Sequence, residues 1–237
     1  SIGWDDRALR LKVMDDGQWS TYLLPKASFN NDAIHGWYTE WPRIRELSGG
    51  KWMMDMHGMF FDFPPTFSAS NSAGLSPIGS HLRYVPDFCD WNGRLVLATD
   101  ETSIQGNPRA GQPQSNLWFG TRKDLKHWGP GSGYGGPWIN EPVAGNVPSL
   151  PFLVNGFKER TLHLVVHDQK NVTITIEVDY KGTGKWEKYK EVSVSGYVPI
   201  VLPESFQAQW VRLRPSRACI ASGYFHQSDA NYRSSGE

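Results

Sequence analysis

An excess of basic residues is missing. The 24 Lys and Arg are matched by 24 Asp and Glu, for a formal net charge of +0 at pH 7, and no basic run occurs. Phosphate neutralisation supplies most of the affinity for nucleic acid, so this balance argues against a DNA or RNA partner. Long apolar runs are missing too. No stretch approaches the roughly 20 residues that a membrane-crossing helix needs, and the opening SIGWDDRALR lacks the basic and apolar regions of a signal peptide. There are two cysteines, Cys89 and Cys219, each in strand-like sequence. A chain of 237 residues can build a sizeable core without a disulfide staple, so two buried free thiols are expected. No HExxH, paired CxxC, phosphate loop or GxSxG elbow occurs, which leaves zinc-protease, NTPase and serine-hydrolase chemistry unsupported. Asn171-Val172-Thr173 matches a glycosylation sequon, a match too short to decide anything.

Helical periodicity is also absent, whereas short alternating runs bounded by Gly, Pro, Asn and Asp recur throughout. The pattern predicts an all-β fold. Strands are expected at 9–14, 39–44, 51–61, 81–88, 94–99, 116–121, 161–166, 172–179, 189–194, 208–213 and 218–225.

Two units repeat. EWPRIRELSGGKWMMDM, from Glu40 to Met56, aligns with YVPDFCDW-NGRLVLATD, from Tyr84 to Asp100, and PSLPFLVNGFKERTLHLVV follows the pattern less closely. A second unit runs a strand into a turn with Asp and Trp four apart, as Asp15/Trp19 and Asp124/Trp128. Pro42 and Pro86 stand 44 residues apart, near the spacing of about 40–50 for four-stranded propeller blades. Unrelated hairpins of a β-sandwich that share turn chemistry would give a similar pattern. After Arg160 the strands lengthen, so the expected division is propeller blades over 1–160, a last blade or sandwich-like extension over 161–228, and a polar tail over 229–237.

The segments HGWYTEWPRIREL, MMDMHGMFFDFP, YVPDFCDWNGRLVLATDE, QSNLWFGT, VTITIEVDYKGTGKWEKY and FQAQWVRLRP resemble β-propeller proteins of polysaccharide-degrading bacteria, of the glycoside hydrolase and polysaccharide lyase type. The resemblance implies an exported protein whose partner is a glycan. About three blade units are visible, fewer than the four to eight that close a propeller. The chain therefore reads as the C-terminal part of a longer protein, or as one completed by an associated chain.

A glycan site needs aromatic faces for sugar rings together with polar groups for hydroxyls. Eleven Trp are present, and the richest clusters are His35 to Arg43, Gln112 to Trp118, and the Gly-rich stretch Gly129–Trp138. His35, Trp37, Trp41, Arg43, Gln114 and Trp118 are the candidate substrate contacts. Trp19, Trp128 and Trp186 follow turns and are expected to pack. Glycoside hydrolysis uses two carboxyl groups, and Glu40, Asp55, Asp87 and Glu101 form the pool. Glu40, in the aromatic cluster, leads as acid/base, with Asp87 or Asp55 as the second group. Asp55 and His57, two apart on a strand, would share a face, where a carboxylate can orient an imidazole as a base or both can ligate a metal. A His57 buried between Met56 and Met59 and bonded to a backbone carbonyl is the structural alternative. No cofactor is called for, and no metal signature is recognised. The leading reading is a glycoside hydrolase acting on a plant or algal polysaccharide or its oligosaccharides. The alternatives are a non-catalytic glycan-binding propeller and a lyase in which Arg neutralises a uronate and His removes its C5 proton.

Overall fold

The structure, a computed structural model, describes residues 1–27, 42–81, 83–100, 116–168 and 171–229. In chain order the strands are β1 (Ile2–Trp4), β2 (Leu9–Asp15), β3 (Gln18–Leu24), β4 (Arg43–Leu47), β5 (Lys51–Met56) and β6 (Met59–Phe63). Next come β7 (Ser76–Ser80), β8 (Tyr84–Trp91), β9 (Arg94–Asp100), β10 (Asn116–Gly120), β11 (Gly133–Val143) and β12 (Phe152–Leu153). The last six are β13 (Glu159–Val166), β14 (Val172–Asp179), β15 (Glu187–Val194), β16 (Gly196–Leu202), β17 (Trp210–Pro215) and β18 (Cys219–Ser228). Among the described residues the only helix is one 3₁₀ turn at Asp124–His127, so the all-β expectation holds. Among the described residues none of the sheets closes on itself.

The chain forms two compact units. The first comprises Ser1–Pro25, Thr66–Leu75 and Ser132–Glu237; the second comprises Lys26–Pro65 and Ser76–Gly131.

In the second unit β4-β5-β6-β7 is a four-stranded antiparallel meander and β8-β9-β10 a three-stranded one, each built like a propeller blade. The repeat seen in the sequence is a repeat of register. Arg43 pairs with Asp55 and Leu47 with Lys51, while Asp87 pairs with Ala98 and Trp91 with Arg94. The single gap in the alignment is one residue of turn length. β4 lies against β8, and Leu47, Met53, Phe60 and Ile78 share one apolar core with Val85, Phe88, Leu95 and Leu97.

The stretch 51–61, expected as one strand, is two. His57 and Gly58 both have positive φ, 53° and 79°, and Met56 pairs with Met59 across them. This is the two-residue hairpin turn whose twist matches the flanking strands, with His in the place more often held by Asn or Asp. Asn92-Gly93 turns the next blade hairpin in the same way, at 50° and 73°.

The first unit is a sandwich. Its sheets run β1-β2-β3-β12-β17-β14-β15 and β11-β18-β13-β16, antiparallel except where β12 meets β3. Alternation places Leu162, Leu164 and Val166 of β13 with Phe225 of β18 on one inner face, and Ile174, Ile176, Val211 and Leu213 on the other, in a single core. The Gly-rich stretch 129–138 is largely strand β11, which carries two irregularities of register. A Cβ on Gly136 would stand 2.0 Å from the Gly223 carbonyl oxygen, so glycine there lets β11 close on β18.

Both cysteines are free, as expected, but only Cys219 is buried. Cys89 alternates with Phe88 on β8; Phe88 takes the core side and Cys89 faces solvent. Burial and then the charge of Asp168 push the Cys219 thiol up, outweighing Arg217. A chromogenic disulfide reagent is therefore expected to titrate one thiol quickly in native protein and the second only in denaturant. Two fast thiols, or none, would contradict this placement.

Candidate functional site

The candidate site starts from the first strands of the two blades. Arg43, Arg45 and Leu47 share one face of β4 by strand alternation. Leu47 enters the core beside β8, so the arginines above it meet the next residues of that strand. Arg45 Nη2 donates to Asp87 Oδ2 at 3.0 Å, and Arg43 Nε lies 3.9 Å from the same oxygen. Asp87 Oδ1 accepts the Phe88 N–H at 2.9 Å. Partial burial pushes Asp87 up, but the Arg45 hydrogen bond, the Phe88 N–H and the charges of Arg45 and Arg43 outweigh it and hold it below the usual carboxylate range. With its side chain 50% exposed, Asp87 meets solvent as a carboxylate. It can accept hydroxyl hydrogen bonds or act as base or nucleophile. It holds no proton to give at neutral pH.

Asp55 is Arg43's cross-strand partner, yet its carboxylate turns inward. Oδ1 lies 2.8 Å from His81 Nε2, and the other ring nitrogen, Nδ1, lies 2.8 Å from the Arg83 carbonyl oxygen. A carbonyl only accepts, so Nδ1 carries a proton, and a second proton must lie in the contact with Asp55. The pair is net neutral in either arrangement, imidazolium with carboxylate or imidazole with carboxylic acid. That neutrality fits its burial, at 1% and 3% side-chain exposure. Phe60 stacks on the His81 ring at 4.3 Å, and Trp128 meets it edge-on at 6.4 Å.

His57 is wholly buried and sits in the hairpin turn, not on the strand, so the alternation that would align it with Asp55 does not operate there. Trp118 on β10 packs against the blade core, edge-on to Trp128 at 5.2 Å, two strands from Asp87. The structure thus joins Arg43 to Asp87, places Asp55 behind them, and sets Trp118 apart. Glu40, His35, Trp37, Trp41 and Gln114 lie outside the described residues, as does Glu101. Sequence reasoning passed over Arg45, although its place two residues after Arg43 on one strand was a usable signal.

No protein-family model matches the chain, and a search of curated proteins found no match. Among solved structures it aligns with a GH32 β-fructofuranosidase of Bombyx mori over 95% of its own length and 61% of that chain, at 10% identity and a TM-score of 0.25. An exo-β-1,3-galactanase of Phanerochaete chrysosporium aligns over 96% and 67%, at 15% identity and 0.21. A glycoside hydrolase family 43 arabinoxylan arabinofuranohydrolase of Bacillus subtilis aligns over 80% and 53%, at 8% and 0.20. All three are glycoside hydrolases, and the chain spans about three fifths of the first. At these scores the likeness carries no argument about this chain's own reaction.

Proposed function

We propose that this chain is part of a carbohydrate-active protein, a glycoside hydrolase whose glycan site gathers at the ends of β4 and β8. One observation carries the reading: the exposed Asp87 carboxylate is held ionised by arginines of the neighbouring blade. A fixed carboxylate beside two guanidinium groups offers the acceptors and donors that sugar hydroxyls need, and a base or nucleophile for cleavage. Because Asp87 has no proton to donate, the acid falls to another group. Glu40, three residues before Arg43 in the chain, is the choice. Trp37, Trp41 and His35 would supply ring contacts and Gln114 further hydroxyl contacts, and export would bring such a protein to its polysaccharide. Exposed ion pairs of this kind contribute about 0–1 kcal/mol to stability, so a structural role alone gives little reason to hold Asp87 there.

A second reading, glycan binding without turnover, is favoured by the commitment of Asp55 to buried His81, which removes one carboxylate from the pool. The lyase reading would need a base other than His57 and His81, which are both buried.

Incubation with a polysaccharide panel, followed by product sizing and absorbance at the unsaturated-uronate band, separates the three. New reducing ends without absorbance are expected. Glu40→Gln should then abolish turnover and leave ligand retention intact, because the amide keeps the shape but transfers no proton. Retention without products would establish the binding reading instead, and absorbance the lyase.

A further inference from the structure

The outer face of the sheet β11-β18-β13-β16 differs from other exposed surface in the same unit. On β15 the exposed positions Glu187, Lys188, Lys190 and Glu191 are charged, as solvated strand faces usually are. On the small sheet the central outward positions are Thr161, His163 and Val165 of β13, Ser222, Tyr224 and His226 of β18, and Tyr197, Pro199 and Val201 of β16. None of these is ionic; Glu159, at the start of β13 on the same face, accepts from the Ser228 hydroxyl at 2.8 Å. His163 pairs with Tyr224 and Thr161 with His226, so the two histidines are diagonal neighbours on adjacent strands.

Their rings touch through nitrogen. His226 Nδ1 lies 3.0 Å from His163 Nε2, with the rings near perpendicular at 84°. The other nitrogen of His163, Nδ1, lies 2.8 Å from the Tyr197 hydroxyl. The contact between the histidines has room for one proton. When Nδ1 of His163 donates to Tyr197, Nε2 is left as a lone-pair donor. The Tyr197 hydroxyl, which accepts as readily as it donates, can therefore hold the tautomer that a metal-binding imidazole requires, as partners of ligating histidines commonly do.

We propose that His163 Nε2 and His226 Nδ1 form a surface site for a divalent transition metal ion of the zinc, nickel or copper class, with water completing the coordination. Two nitrogens 3.0 Å apart, each about 2.0–2.1 Å from a metal, subtend about 95°, within the range of square-planar and tetrahedral coordination. Two imidazole nitrogens as the protein ligands disfavour calcium and magnesium, which take oxygen ligands. The other titratable groups on this face are Tyr197, Tyr224, Tyr134, which is the cross-strand partner of His226, and Glu159 at the start of β13; burial and Tyr134 push the Tyr224 hydroxyl up to about 12, so it stays uncharged.

The test is calorimetric titration of chelator-stripped chain with Zn²⁺ alone at pH 7.5, repeated at pH 5.5, and Cu²⁺ electron paramagnetic resonance for nitrogen hyperfine structure. One site per chain is expected, at least tenfold weaker in His163→Ala and in His226→Ala and weaker at pH 5.5 than at pH 7.5, because metal and protons compete for imidazole nitrogen. Tyr197→Phe should weaken binding less, because water can accept the Nδ1 proton. His226 is exposed, so His226→Gln offers a second variant that folds if an alanine variant does not. Zn²⁺ uptake unchanged in the His226 variants, or none by wild-type chain at millimolar metal, overturns the site and leaves the contact a plain hydrogen bond.

Discussion

Asp55→Ala is expected to lower the stability of the blade unit by about 3–5 kcal/mol, the range for breaking a buried pair by removing one partner. The reasoning is proton counting. His81 keeps its Nδ1–H on the Arg83 carbonyl, so alanine at 55 leaves Nε2 buried without its acid partner, between Phe60 and Trp128. Asp55→Asn should lose much less. The asparagine NH₂ can donate to Nε2 of a neutral imidazole, which needs no second proton in the contact. Hydrogen exchange read by mass spectrometry would show the difference as lost protection in β5, β6 and β7, with β14 as an internal reference. Equal protection in wild type and Asp55→Ala would mean that the pair is not what holds this blade.

That pair also marks where sequence reading reaches its end. Asp55 and His81 are 26 residues apart, and nothing in either local pattern says that their side chains meet. Local order was legible where it is local: β14 spans the residues its alternation predicts, and the two blade hairpins share a register that the Pro42/Pro86 alignment already implied. Arg43 and Asp87 occupy equivalent places in the two repeats. That they meet through Arg45 follows only once β4 lies along β8.

The strands that went unread have physical reasons. β16 carries Pro199 in mid-strand, a signal against a strand, yet β16 is a sheet edge, where a missing N–H leaves no ladder bond unmade. β7, with Pro77 and Gly79 among five residues, is the edge strand of its blade, and a Cβ on Gly79 would come within 2.9 Å of the Leu125 carbonyl oxygen. The sandwich is assembled from Ser1–Pro25, Thr66–Leu75 and Ser132–Glu237, so its pairings cross most of the chain. The texture changes after Arg160, but β11 and β12 before that point pair with β18 and β17 after it. Non-local pairing of this kind has no local signature. The positive-φ His57 was the costliest omission, since a His-Gly turn read as strand produced the Asp55/His57 alignment.

In the sandwich the largest effect is expected at Trp210, which the sequence places in an ordinary alternating strand. Its side chain is fully buried, and Nε1 donates to the Ser72 hydroxyl at 2.8 Å and lies 3.2 Å from the Ser72 carbonyl oxygen. The ring packs on Tyr22 of β3 at 4.8 Å and on Phe67 at 6.4 Å. One indole therefore ties the 66–75 segment and β3 to β17, in a unit whose sheet is otherwise assembled from distant pieces. Trp210→Ala removes the ring and opens a cavity between three elements, at a cost of about 3–5 kcal/mol. Trp210→Phe keeps most of the apolar contact but removes the indole N–H from the Ser72 oxygens, so a smaller loss of about 1–3 kcal/mol is expected. Urea unfolding followed by far-ultraviolet circular dichroism would rank the three proteins, with β14 exchange protection assigning the transition to the sandwich. If Trp210→Phe proves as unstable as Trp210→Ala, the hydrogen bond to Ser72 outweighs ring packing; if Trp210→Ala unfolds at the wild-type midpoint, the 66–75 segment does not depend on this anchor.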